Sequence, residues 1–136
     1  MDDPFPQFTY MASKLNDLKL AYLHLVESRI DGPSDTNPSG DLGFAVRAWN
    51  QVSPVFIAGG FTPESAVAKV DKDFPDRDVA IVFGRHFISN PDLPFRIQTG
   101  IPLNEYNRRT FYKVRSPDGY VDYPFSKEWK EFSARL

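Results

Sequence analysis

Two apolar runs in this chain end in glycine: Val55-Phe56-Ile57-Ala58-Gly59-Gly60 and Val79-Ala80-Ile81-Val82-Phe83-Gly84-Arg85. Glycine has no Cβ, so backbone N–H groups at such a strand end can approach an anion with no side chain in the way. Arg85 adds a planar fork of donors that suits phosphate. Gly59, Gly60, Gly84 and Arg85 are therefore read as a candidate phosphate cradle. Glycine pairs also serve strand-to-helix turns for conformational reasons alone. The weight of the argument lies in the second glycine-bearing end, one strand-helix unit after the first.

Few other residues are placed to do chemistry. His24 lies inside an apolar run and is expected to be packed and hydrogen-bonded. His86 stands beside Arg85, within reach of a ligand, but has no base or metal partner in the sequence and is read as structural. Glu27 and Arg29 are expected to form a local ion pair. The absence of cysteine excludes disulfides and thiolate metal sites, and two separate histidines make no zinc cluster. No catalytic residue and no metal ligand is assigned.

The elements that must position the glycines follow an α/β pattern. A helix is expected over residues 6–17, with strands over 20–26, 52–58 and 79–83. Phe44 to Trp49 reads as a short helix. Thr62-Pro63-Glu64 opens another, with threonine as N-cap, proline in the first turn and glutamate at the positive end of the dipole. Ala66, Val67 and Val70 would form its buried face. Right-handed crossovers bring both glycine loops to one edge of a parallel sheet. In barrels, the loops after strands seven and eight hold phosphate. Residues 31–43, rich in Gly, Pro, Ser, Asp and Asn, read as a loop overhanging a strand end. Asn90 is placed to cap a short helix that Gly100 ends. The aromatic tail, with turn signals at Pro117-Asp118-Gly119, is expected to pack over a strand edge.

Bulk properties bound the reading. A chain of 136 residues that is 41% hydrophobic and 15% aromatic can bury one real core, and no linker divides residues 1–136, so a single domain is expected. A complete (β/α)8 barrel needs about 250 residues, so the length holds about half of one. Net charge is −2, with no basic stripe among the aromatics, which argues against nucleic acid. No leader-like or membrane-spanning run is visible, and a cytoplasmic location is the default expectation.

Gly84-Arg85-His86-Phe87-Ile88-Ser89-Asn90-Pro91-Asp92-Leu93, followed by Gly100-Ile101-Pro102-Leu103-Asn104 and Thr110-Phe111-Tyr112, resembles the C-terminal signature of the old yellow enzyme family. Leu20 to Glu27 and Ala58-Gly59-Gly60-Phe61 are similar to that family's sixth and seventh strands, in the right order. The resemblance implies a partial (β/α)8 TIM barrel comprising the last three strand-helix units and a C-terminal tail. Members are FMN-dependent, NAD(P)H-consuming reductases of activated C=C bonds that pass hydride from flavin N5 to the substrate β-carbon. By similarity, Gly59, Gly60, Gly84 and Arg85 contact the FMN phosphate and ring edge, and Tyr112 lies near the mouth of the substrate site. The family's carbonyl-polarising His/Asn or His/His pair and its tyrosine proton donor belong to the first five strands, which this sequence does not carry.

A truncated, inactive relative with weak or lost FMN binding is the expectation. One alternative is an enzyme made active by a separate N-terminal half; a homo-oligomer would repeat the same strands without supplying that half. Another is a non-catalytic scaffold that recruits a partner at a sheet edge. The wording is nearest to the fungal branch, resembling chanoclavine-aldehyde reductases of ergot-alkaloid pathways.

Overall fold

The computed structural model describes residues 4–27, 30–31, 34–35 and 42–136, and the chain divides into two compact units, Met1–Val82 and Phe83–Leu136. The first unit opens with helix α1 (Phe5–Asn16), close to the expected span. Pro4 and Pro6 suit its start, where a first-turn N–H has no acceptor to lose. Helix α2 (Gly43–Trp49) ends at Asn50 in the left-handed region. The Asn16 side chain donates to the Trp49 carbonyl at 3.0 Å, satisfying an end group of α2, and the Phe5 ring meets Phe44 edge-on at 4.8 Å. Trp49 is fully buried, and its indole N–H donates to the Ser53 carbonyl.

Strands β1 (Leu23–Val26), β4 (Val55–Ala58) and β5 (Val79–Val82) form a parallel sheet in the order β1-β4-β5. Leu25 lies opposite Ile57, which lies opposite Ile81. Strand β4 starts directly after Pro54, which has no N–H to give a ladder, so it is shorter than residues 52–58. Between β1 and α2, two-residue strands β2 (Ile30–Asp31) and β3 (Ser34–Asp35) pair antiparallel. That pairing interrupts the loop expected over 31–43, whose remaining residues 32–33 and 36–41 lie outside the described residues.

Alternation along the strands gives the sheet two unlike faces. Leu23, Val55 and Ile57 are buried, together with Ala45, Val46, Phe61 and Phe74 of the same unit. The other face carries His24, Val26, Phe56, Ala58 and Ala80, with Tyr22 stacked on Phe56 at 4.9 Å. Tyr22 is 51% exposed and Val26 58%. Among the described residues β1 and β5 each pair with β4 alone, so each has one edge without a strand partner.

Helix α3 (Pro63–Ala68) begins as its sequence implies. The Thr62 hydroxyl accepts from the Ser65 N–H, and the Ser65 hydroxyl accepts from the Thr62 N–H, forming a capping box. Its expected buried face is corrected at two positions, since Ala66 is buried but Val70 is only half-buried and Val67 is 56% exposed. The helix widens into a π turn over Lys69–Asp73, and Phe74 fills the core beyond it.

The second unit contains α4 (Arg85–Ser89), α5 (Leu93–Thr99), a 3-10 turn (Arg108–Thr110) and α6 (Lys127–Ser133). Gly100 ends α5 in the left-handed region as expected. Asn90 does not cap it. Asp92 occupies the N-cap position, and the fully buried Asn90 side chain instead bonds the His86 and Asn104 carbonyls and the Ser89 hydroxyl. The tail builds aromatic clusters of its own, with Phe95, Trp129 and Phe132 mutually in contact and Tyr106, Phe111 and Tyr120 in succession. The Tyr120 N–H donates to the Pro117 carbonyl, closing the expected turn. No helix among the described residues is long and apolar enough to cross a membrane.

Candidate functional site

Gly59 and Gly60 follow β4 in the first unit, both at positive φ, 144° and 60°. At this strand end β1 comes very close, with the Glu27 N–H donating to the Ala58 carbonyl at 2.9 Å. A Cβ on Gly59 would lie 2.8 Å from the Glu27 Cβ, closer than side-chain atoms approach. Strand packing and backbone conformation therefore each require glycine here. Glu27 pairs with Lys69 at 3.2 Å, and Lys69 also meets Asp73 at 3.0 Å. Arg29, the partner expected for Glu27, lies outside the described residues.

Ala58 is opposite Val82 in the register, so β4 and β5 end at the same edge of the sheet. Two residues after β5, in the second unit, Gly84 has ordinary dihedrals (φ −98°, ψ −76°), and a Cβ there would meet nothing within 4 Å. Neither conformation nor packing demands glycine at this position. What the missing side chain provides is bare backbone beside open space. Arg85, half-buried, places its guanidinium carbon 6.0 Å from the centre of the Tyr106 ring.

His86 completes this group. Its ring meets Tyr106 edge-on at 5.6 Å and Phe83 at 6.3 Å, and its buried Nδ1 has no hydrogen-bond partner. Burial first, and then the Arg85 charge beside it, hold the imidazole below its ordinary pKa, so it tends to stay neutral next to the cation. Helix α4 is pinned from behind. Ser89 donates to the Asn104 carbonyl at 2.9 Å, the Asn104 N–H donates to Asn90 Oδ1 at 2.7 Å, and the Asn104 amide returns a bond to the Ser89 carbonyl.

The other sequence candidates behave differently. Tyr112 is 86% exposed at φ 61°, a left-handed conformation uncommon for an aromatic residue, and its N–H donates to the Tyr120 hydroxyl at 3.0 Å. His24, expected to be packed, is exposed on the open sheet face, because Leu23 before it turns inward and strand alternation turns His24 outward. No metal-binding group of histidines or carboxylates occurs among the described residues. Sequence reasoning missed Tyr106, which has no local signature, and gave Asn104 no role beyond its place in the family motif. It also missed the Asp92–Arg96 pair, although an acid four residues before an arginine on a helix is a readable signal.

Residues 3–104 match the NADH:flavin oxidoreductase / NADH oxidase family. The chain belongs to that family. Among its relatives, chanoclavine-I aldehyde reductase fgaOx3 of Penicillium roqueforti is 52% identical over 131 residues, covering 96% of this chain and 36% of that protein. A protein of Epichloe festucae var. lolii named probable inactive reductase easA is 47% identical over 134 residues, covering 95% and 35%. The crystal structure of Old Yellow Enzyme from Pichia sp. AKU4542 superimposes with a TM-score of 0.74 at 34% identity, covering 91% of this chain and 30% of that one. The chain thus spans about a third of the length of the relatives it matches. The family implies FMN and a nicotinamide reductant. Open space at Gly84 and a cationic side chain on the next residue, Arg85, are compatible with an anionic phosphate, so the residues present agree with that implication.

Proposed function

We propose that this chain carries the phosphate-binding end of the FMN site of an ene-reductase of the old yellow enzyme kind, built on the last three strand-helix units of a (β/α)8 barrel. Gly59, Gly60 and Gly84 offer backbone N–H groups, and Arg85 offers a cation, to the FMN phosphate and ring edge. Tyr112 is assigned to the mouth of the substrate site. Its exposure and left-handed backbone suit a residue held for contact with a ligand. The observation that carries the reading is Gly84, a glycine that the chain's own packing does not require, placed directly before Arg85. Bound FMN would supply the hydride chemistry, with NAD(P)H as the source of electrons. The residues here bind and orient it.

The 136-residue polypeptide by itself is proposed to bind FMN weakly and not to turn over, since no residue in it is assigned to polarise a carbonyl or donate a proton. Relatives named for chanoclavine-I aldehyde support an ergot-alkaloid aldehyde as the substrate class of a full-length enzyme, and those named as inactive support a non-catalytic one. FMN titration of the purified chain, followed by flavin fluorescence and near-ultraviolet circular dichroism, tests the binding. Saturable binding to a folded chain is expected, and its absence would remove the cradle. Steady enone-dependent NADPH oxidation by this polypeptide would overturn the inactive reading.

A second reading is favoured by the open sheet face. Tyr22, Val26 and Phe56 present an apolar surface there, and such surfaces mark association sites. A separate N-terminal half would cover them and restore turnover. Enone reduction that appears only on mixing with such a segment would support complementation, whereas mixing without gain would leave the chain non-catalytic.

A further inference from the structure

Tyr106 is half-buried and held by rings. It stacks on Phe111, with centroids 5.7 Å apart and planes 28° apart, and takes the His86 ring edge-on at 5.6 Å and 69°. Phe111 in turn meets Tyr120 at 6.2 Å, and the Tyr120 hydroxyl holds the Tyr112 N–H. The Tyr106 ring cannot swing without displacing these neighbours. The Arg85 guanidinium carbon lies 6.0 Å from its centre, at the outer limit of attraction between a cation and an aromatic face. An arginine side chain has several rotatable bonds, and each must be frozen when it grips a ligand. A cation already held by a fixed ring loses less freedom on binding.

We propose that Tyr106 is a positioning residue that holds the Arg85 guanidinium in place for a phosphate monoester, acting through Arg85 and not by touching the phosphate. The proposal rests on the reading of Gly84 and Arg85 as a phosphate site.

The test compares Tyr106→Phe, which keeps the ring, with Tyr106→Leu, which keeps bulk without it. Arg85→Met is the reference for the phosphate contact itself. Two readouts are taken: the ring-current shift on the Arg85 side-chain protons by NMR, and affinity for FMN against riboflavin, which lacks the phosphate. The expected result is a ring-shifted Arg85 in the wild-type chain and in Tyr106→Phe. In Tyr106→Leu that shift is lost and FMN affinity falls about fivefold, while riboflavin affinity is unchanged. A folded wild-type chain whose Arg85 protons show no ring shift overturns the proposal without any variant or ligand. Unchanged FMN affinity in Tyr106→Leu, alongside loss of the FMN preference in Arg85→Met, overturns the positioning role and leaves the phosphate site standing. If the wild-type chain does not prefer FMN to riboflavin, or Arg85→Met keeps that preference, the phosphate reading falls and this proposal with it.

Discussion

At Gly59 a methyl group would press on the Glu27 side chain from a backbone at φ 144°, whereas at Gly84 it would project into open space. Gly59→Ala is expected to destabilise the chain by about 2 kcal/mol, read as a lower denaturation midpoint. Gly84→Ala should leave that midpoint unchanged or slightly raised and, on the proposed phosphate contact, weaken FMN binding, because the added methyl would stand between the backbone and the phosphate. Equal effects of the two substitutions on stability would contradict this distinction. His86 allows a second prediction. Burial and then Arg85 hold its pKa below the ordinary 6.5, so the unfolded chain takes up this proton first as pH falls. The contribution to stability is intact above about pH 6.5 and is lost below it. Denaturation midpoints measured from about pH 8 down to about pH 5 should show a slope that His86→Gln reduces.

Among the elements, α5 and α6 are joined by a buried charge. Arg96 Nε donates to Asp92 Oδ1 at 2.8 Å and Arg96 Nη1 donates to the Pro102 carbonyl at 2.7 Å. The N–H and hydroxyl of Ser126, the N-cap of α6, both donate to Asp92 Oδ2. Burial pushes the Asp92 carboxyl up, but the hydrogen bonds from Ser126 and Arg96 outweigh it and lower the pKa from 3.8 to about 2. A depressed carboxylate stabilises the fold above its unfolded pKa. That stability, about 2 kcal/mol, is lost as pH falls from about 4 to about 2. Acid unfolding followed by circular dichroism should show the loss. Asp92→Ala, which leaves Arg96 buried without its carboxylate, is expected to cost about 3 kcal/mol or more in a denaturant melt. Element starts were the more legible part of the sequence. Thr62 and Pro63 announce α3 because capping is local chemistry. The clamp at Asp92 was harder to read, since Ser126 is 34 residues away and only folding brings it to the carboxylate.

For the whole molecule, the open sheet face is expected to govern association in solution. Tyr22 and Val26 lie on it more than half exposed, and strands β1 and β5 each have an edge without a strand partner among the described residues. Such surfaces promote association. Val26→Thr is expected to reduce hydrophobic-dye binding and concentration-dependent self-association, with little change in melting temperature, because β-branched threonine suits an exposed strand position. Light scattering and dye fluorescence that match the wild-type chain would show that this face does not drive association.

The sequence by itself determined the α/β order, the parallel strands, the two glycine-ended loops and the family signature. Each depends on residues close together in the chain: apolar runs, an N-cap before a proline, glycine at a strand end. It also located Gly84 and Arg85. The tertiary structure decided why the two glycine sites differ, because only the approach of β1 gives Gly59 a neighbour that forbids a side chain. It turned His24 out to solvent, moved Asn90 from a cap into a buried network, and brought Tyr106 against Arg85 across 21 intervening sequence steps. These outcomes depend on which face an element turns and on contacts between distant segments, and local pattern does not encode either.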